Sequence, residues 1–251
     1  MTIHLYGFLL GLAIVSVISC AEWVLKRAGK TLALRILWPV VIWMTMFGVV
    51  GARAYHVATD LSVYEAQSFT EIFKIWNGGL GIFGAVFGAM IGLLFALWRA
   101  RELSGKNILI FIDAIGFGWP LGQAIGRWGN FFNHELYGKP VDEHFLLGLH
   151  VPFQFRLPGY EQFSRFHPLF LYESMTMFIV WLALYIWLKK TRVRAVGTGK
   201  IFGLVCVAYA LVRFVLEPLR IAPNIGQEVS LLMLGIGTVM IYKRSNEKTS
   251  S

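Results

Sequence analysis

Gly126-Arg127-Trp128-Gly129-Asn130-Phe131-Phe132-Asn133-His134-Glu135-Leu136-Tyr137-Gly138 is the stretch on which the reading of this chain turns. Apolar sequence rich in Gly and Ala runs into it from Ile108, and a polar segment containing Pro140 leaves it. An Arg, two Asn and a Glu therefore stand where a membrane helix ends. Asn and Gly commonly terminate helices, and Trp128 and Tyr137 suit the headgroup level, so those residues have a structural explanation. Arg127 with Asn130 and Glu135 does not. Charged groups at that depth are costly and are kept where a function needs them.

The composition outside this stretch agrees. Of the 251 residues, 57% are hydrophobic and 15% charged, and mean hydropathy is +0.62, which excludes an ordinary soluble domain and defines an integral membrane protein. The net charge of +9 does not signal nucleic-acid binding, because Lys and Arg fall in short runs between apolar segments. Such runs set topology and meet anionic membrane lipid. Cys20 and Cys206 both lie inside apolar stretches and form neither a disulfide framework nor a zinc spacing.

Seven apolar stretches are long enough to cross or nearly cross a bilayer: Leu5–Leu25, Ile36–Val57, Leu80–Leu97, Ile108–Ile125, Pro168–Leu188, Ile201–Leu216 and Val229–Tyr242. Gly84, Gly88 and Gly92 in the third form a small-residue stripe suited to close helix packing. Val17-Ile18-Ser19-Cys20 looks like the cleavage box of a lipoprotein signal peptide. Yet no cation precedes the first apolar run, and Lys26, Arg27 and Lys30 follow it, the reverse of a secretory signal. The first stretch is read as a retained helix.

The cations orient the chain. Lys26 to Arg35, Arg99 to Lys106, Lys189 to Lys200 and Lys243 to Lys248 mark alternate connections as cytoplasmic, whereas the others hold Asp60, Glu65, Glu71, Asp142, Glu143 and Glu161. The expected fold is an all-α membrane protein, one transmembrane domain over residues 1–251 with seven helices, N-terminus outside and C-terminus cytoplasmic. The long connection Lys139–His167, rich in Pro and aromatics, makes a small extracytoplasmic cap or lid, with a short strand near Val151–Leu157.

With this topology the unusual polar residues share one leaflet. Tyr6 opens the first span. Arg53 and His56 close the second. Asn77-Gly78-Gly79 precede the third, and Arg127, Asn130 and Glu135 end the fourth. His167, Tyr172 and Glu173 start the fifth, and Tyr209, Arg213, Glu217 and Arg220 end the sixth. Arg213 and Glu217 are four apart and share a helix face, which by itself also fits a structural salt bridge. Arginines at headgroup depth suit a phosphate, because a guanidinium offers a planar fork of donors. An enzyme or carrier for an anionic phospholipid at the outer face follows.

The thirteen positions quoted above resemble the signature of bacterial prolipoprotein diacylglyceryl transferases. Tyr6-Gly7, Gly51-x-Arg53, Gly78-Gly79, His167-Pro168-x-x-x-Tyr172-Glu173, Tyr209-x-x-x-Arg213-Phe214-x-x-Glu217 and Gly226-Gln227 resemble further family positions in the family's order. The resemblance implies transfer of the diacylglyceryl group of phosphatidylglycerol to the lipobox cysteine of a preprolipoprotein signal peptide. A thioether forms and glycerol phosphate leaves. It implies an inner-membrane location, no cofactor and no metal. It maps essential positions onto Tyr6, Arg127, Asn130, Glu135, Gly138, Arg213 and Glu217. The catalytic set is Arg127, Arg213, Glu217, Glu135 and Tyr6. Arg127, Asn130, Gly138, Tyr209, Arg213 and Arg220 hold the phospholipid, and Gly78, Gly79 and Phe83 line the pocket.

One position departs from the family. Many members have His in a Gly-Gly-x-x-x-His-Gly run; here it reads Gly78-Gly79-Leu80-Gly81-Ile82-Phe83-Gly84. Phe83 cannot accept a proton. His56, His134 and His167 are alternative bases, each also explained by a helix-end or interfacial role. Glu217 and Glu135 either hold arginines or take a proton. Two other readings use the same residues: a transporter for an anionic lipid or solute, and an altered relative that binds lipid or signal peptide without turnover. A transporter calls for polar groups through both leaflets, for which Asp113 and Glu22 are the candidates.

Overall fold

The computed structural model describes residues 5–61, 64, 69–74, 78–191, 193–221 and 226–246; Glu65, Asn77, Arg192 and Lys248 of the reading above lie outside them. The helices are α1 (Leu5–Arg27), the short α2 (Thr31–Arg35), α3 (Leu37–Thr59), α4 (Ile82–Arg99), α5 (Gly105–Phe132), α6 (Leu169–Lys190), α7 (Lys200–Leu216) and α8 (Gly226–Asn246). Six are long and apolar enough to cross a membrane: α1, α3, α4, α5, α6, and α7 with the turn that extends it to Leu219. The seventh predicted stretch lies on α8, whose apolar part, Gln227–Tyr242, is shorter. Lys26 and Arg27, Arg99, and Lys189 and Lys190 occupy the last turns of α1, α4 and α6, where cations meet the negative end of the helix dipole.

The fourth helix differs from expectation. It runs 28 residues and continues seven beyond Ile125, with Pro120 inside it. Arg127 and Asn130 therefore sit within its last two turns and not beyond its end. Apolar periodicity stops at Ile125, but the helix is carried on by packing: Trp128 and Phe131 meet the ring of Phe170 on α6 at 5.5 and 4.9 Å.

The chain divides into two compact units, residues 30–109 and residues 1–29 with 110–251. In the first, α3 and α4 pack antiparallel along the predicted glycine stripe. A Cβ on Gly84, Gly88 or Gly92 would collide with the carbonyl oxygen of Gly51, Phe47 or Trp43 respectively, a step of four residues on each helix. Bare backbones in contact gain dispersion that lipid cannot supply. Tyr55 and Phe83 meet above them, ring centroids 5.9 Å apart.

In the second unit α5 is central. Gly118 and Gly122 face Val17, Cys20 and Ala13 of α1, and Gly116 faces Phe202 of α7. Trp23 stacks on Phe117 at 5.5 Å. Ser174 of α6 donates to the Ala124 carbonyl at 2.8 Å. Gly203 and Gly237 bring α7 and α8 together. Cys20 and Cys206 are both buried.

The connection 139–167 packs onto Tyr137, which precedes it, in a small core with Val151 and Phe166. Its strands are β1 (Leu149–His150) and β2 (Arg165–Phe166), antiparallel, with Leu149 opposite Phe166. The strand expected at Val151–Leu157 is absent; Phe153–Phe155 is a turn of 3-10 helix. Pro152 offers no N–H to a ladder. Side chains satisfy this backbone instead: the Tyr137 hydroxyl donates to the Phe155 carbonyl at 2.8 Å and accepts from Leu157 N at 2.7 Å, and Arg156 Nε donates to the Val151 carbonyl at 2.9 Å. Burial pushes the Tyr137 hydroxyl pKa up, so it remains a donor.

Candidate functional site

Arg127 lies on the face of α5 that Asn130 shares three residues later. Gly129 turns the other way and is covered by the ring of Tyr6. After Phe132 the chain reverses through two left-handed residues, His134 (φ 54°) and Leu136 (φ 55°). A left-handed non-glycine residue costs about 1–2 kcal/mol, so this path is held by its surroundings. Glu135 N donates to the Asn130 carbonyl at 2.8 Å, which closes the reversal. The Glu135 carboxylate then accepts from Asn130 Nδ2 and Asn133 Nδ2, both at 3.3 Å, and Asn130 Oδ1 faces Arg127 Nη1 at 3.5 Å. The predicted trio is thus one relay, Arg127 to Asn130 to Glu135. His134 stacks on Phe155 at 4.4 Å.

The centre of the site is Glu173, one turn into α6 and 2% exposed. Its carboxylate receives Arg127 Nη2 at 2.5 Å, Arg220 Nη2 at 2.8 Å and Arg213 Nη1 at 3.4 Å. Glu217, in the 3-10 turn Glu217–Leu219 after α7, pairs with Arg213 Nη2 and Arg220 Nε at 3.5 Å each. Neither Glu217 oxygen accepts a hydrogen bond from a described residue, and neither Arg127 Nε nor Arg213 Nε donates one. Three cations against two carboxylates leave this cluster positive. A positive, desolvated cluster with unused guanidinium donors accepts an anion.

Sequence reasoning placed Glu173 beside the site but outside the catalytic set. Its signal was there: a lone carboxylate inside an otherwise apolar membrane helix demands a partner.

The other predicted positions fall as follows. Gly138 is a crossing point: its N–H donates to the His167 carbonyl at 2.8 Å, and a Cβ there would lie 2.5 Å from the Leu219 carbonyl oxygen. Lys139 N donates to that same Leu219 oxygen at 2.7 Å, so the end of the signature is tied to the turn that carries Glu217 and Arg220. Tyr209 is half-buried on α7, one turn before Arg213. His167 Nδ1 lies 3.2 Å from the Tyr172 hydroxyl, and burial lowers its pKa. Gly78, Gly79 and Phe83 belong to the unit 30–109. Gly78 and Gly79 adopt φ of 85° and 73°, and their carbonyls accept Arg53 Nη1 at 2.8 and 3.0 Å; Arg53 Nε donates to the Ile72 carbonyl at 2.7 Å. His56 Nδ1 is 2.9 Å from the Asp60 carboxylate. Phe83 is half-exposed. Among the described residues, no cluster of His, Cys, Asp and Glu is arranged to hold a metal.

Apolar helices of this length, with Arg213 and Arg220 buried among carboxylates, define an integral membrane protein that carries a buried charged cluster. Comparison with known proteins narrows the class. The family described as prolipoprotein diacylglyceryl transferase matches residues 1–243. The phosphatidylglycerol–prolipoprotein diacylglyceryl transferase of Synechocystis sp. is 34% identical over 245 residues, 94% of this chain and 83% of the relative. That of Gloeobacter violaceus is 34% identical over 220 residues, 85% and 78% of the two chains. Transferase 1 of Streptomyces coelicolor is 40% identical over 185 residues; these cover 72% of this chain and 50% of that longer relative. The chain belongs to the prolipoprotein diacylglyceryl transferase family.

Proposed function

We propose that this chain transfers the diacylglyceryl group of phosphatidylglycerol to the lipobox cysteine of prolipoproteins, the first step of lipoprotein maturation, in the bacterial inner membrane. The observation that carries the reading is the convergence of Arg127, Arg213 and Arg220 on Glu173, with donors to spare. The lipid's phosphate docks on those donors. The cysteine sulfur bonds to the terminal carbon of the diacylglyceryl group, and the carbon–oxygen bond to phosphate breaks. Glycerol phosphate leaves with the electron pair, and the thiol proton passes to solvent or to a carboxylate. A thiol has a pKa of about 8.5. Arginine charge near the sulfur raises its thiolate fraction and offsets charge on the leaving phosphate. This activates the thiol without a base at position 83.

The site faces the outer leaflet, α8 is the seventh span, the N-terminus lies outside, and residues 139–167 form the cap under which the signal peptide enters. The charge pattern of the connections supports this orientation.

A transporter is disfavoured by the fate of its two candidate carboxylates. Glu22 is half-exposed and pairs with Lys26 at 2.5 Å. Asp113 is wholly occupied by backbone N–H groups. The test is incubation of the purified protein with phosphatidylglycerol and a lipobox peptide, followed by mass measurement. The peptide cysteine gains one diacylglyceryl group if the reading holds. An unmodified peptide in competent lipid overturns it and leaves a binding-only relative.

A further inference from the structure

Asp113 stands inside α5, 0% exposed, with no cation as its partner among the described residues. Its Oδ2 accepts from Gly197 N at 2.9 Å, Thr198 N at 3.0 Å and Gly199 N at 2.8 Å, and its Oδ1 accepts from Phe202 N at 3.1 Å. These donors are the loop and first turn of α7. The N-cap residue of α7 is Gly199, which has no side chain to cap its own helix. A carboxylate on one helix therefore caps another and meets the positive end of its dipole.

The sequence spacing gives this contact a meaning beyond stability. Arg127 follows Asp113 by fourteen residues on α5, and Arg213 follows Gly199 by fourteen along α7. At 1.5 Å per residue both climb about 21 Å. Gly116 against Phe202, three residues up each path, holds the same register. The two helices run parallel and their arginines arrive level on Glu173. Chain connectivity does not fix this, because α7 follows α6 and not α5. A slip of one turn, about 5.4 Å, would carry Arg213 away from Glu173.

We propose that Asp113 is a positioning residue that sets the register of α7 on α5, and so places Arg213 level with Arg127 for the lipid's phosphate. Its catalytic consequence rests on the transferase reading; its geometric content does not.

The experiment places spin labels on Trp119→Cys of α5 and Val215→Cys of α7, both exposed, in a background where Cys20 and Cys206 are buried from the label. Their separation has a large component along the helices, so it reports sliding. Asp113→Asn removes the charge and turns an amide N–H₂ toward N–H donors. The expected result is a shifted or broadened distance together with a fall in kcat on the order of tenfold to a hundredfold. Asp113→Glu restores a carboxylate one methylene longer, and recovers much of the rate with a smaller shift. If the Asn variant does not accumulate folded, the Glu variant decides alone: a displaced distance with slowed turnover is expected. An unchanged distance, or a changed distance with full turnover, overturns the proposal. If the unsubstituted protein itself transfers nothing, the proposed function falls, and the distances still decide the register.

Discussion

Arg53 and Arg213 are both buried arginines near helix ends, and the contacts described for them differ. Arg53 gives its protons to the carbonyls of Ile72, Gly78 and Gly79 at 2.7–3.0 Å. Arg213 faces two carboxylates at 3.4 and 3.5 Å and leaves its Nε without a described acceptor. Short bonds to neutral backbone fix a loop, and a phosphate gains little by displacing them. Long contacts to charged partners leave a cation attracted but not saturated. The lesson is that contact geometry distinguishes arginines that residue type and sequence position do not, and under the proposed function it marks Arg213 as the one open to substrate.

The largest expected effect comes from removing what all three cluster arginines share. Glu173→Ala leaves the buried Arg213 and Arg220 with only Glu217 as a carboxylate partner, and takes from the half-buried Arg127 its carboxylate partner. A broken buried ion pair costs about 3–5 kcal/mol, so thermal stability in detergent and turnover should both collapse. A stable, active Glu173→Ala protein would dissolve the distinction drawn above, because the cluster would then not depend on its centre.

Lysine substitution tests the two arginine classes directly. Arg127→Lys and Arg213→Lys replace a fork of donors by a point charge. Each should lower turnover by about a hundredfold while the melting temperature stays near that of the unsubstituted protein. Arg53→Lys should do the reverse: a loss of roughly 2–3 kcal/mol in stability as carbonyl bonds to a charged group go, with the folded fraction still turning over. Equal behaviour of the three variants in both assays would erase the contrast.

Phe83→His should change the rate modestly. Activity should rise with pH as the substrate thiol ionises, with no separate step near 6.5 in the unsubstituted protein. An inactive protein rescued by His at 83 would move thiol activation from the arginines to that position.

The smallest effect is on acid stability. Burial lowers the His167 pKa, so the folded state resists the proton that the unfolded chain accepts near pH 6.5. Stability contributed at neutral pH is therefore lost as pH falls from about 6.5 towards the lowered folded value. Melting curves between pH 7.5 and 5 should show this loss, reduced in His167→Gln.

Six of the seven expected spans and the glycine stripe were legible because lipid imposes simple rules: long apolar runs and small residues at contacts. Arg127, Arg213 and Glu217 were legible as charges at an improbable depth. Three things were not. The extension of α5 to Phe132 depends on Trp128 and Phe131 packing on Phe170, a contact with no local trace. The 3-10 turn at Phe153 depends on a Tyr137 hydroxyl at least sixteen residues away in sequence. The centrality of Glu173 and the service of Asp113 to α7 depend on partners from other helices, and single-sequence periodicity is silent about those.

Cys20 carries one more consequence. The proposed reaction consumes a cysteine thiol that follows a short apolar box, and this chain contains such a box in Val17-Ile18-Ser19-Cys20. Here the box is wound into the unbroken helix α1, with the Cβ of Cys20 against Gly118, and both cysteines of the chain are buried. The proposed reaction acts on client thiols, and the chain keeps both of its own buried. Burial is expected to spare them from auto-modification, so a lipidated cysteine recovered from a reaction mixture is expected to belong to the client.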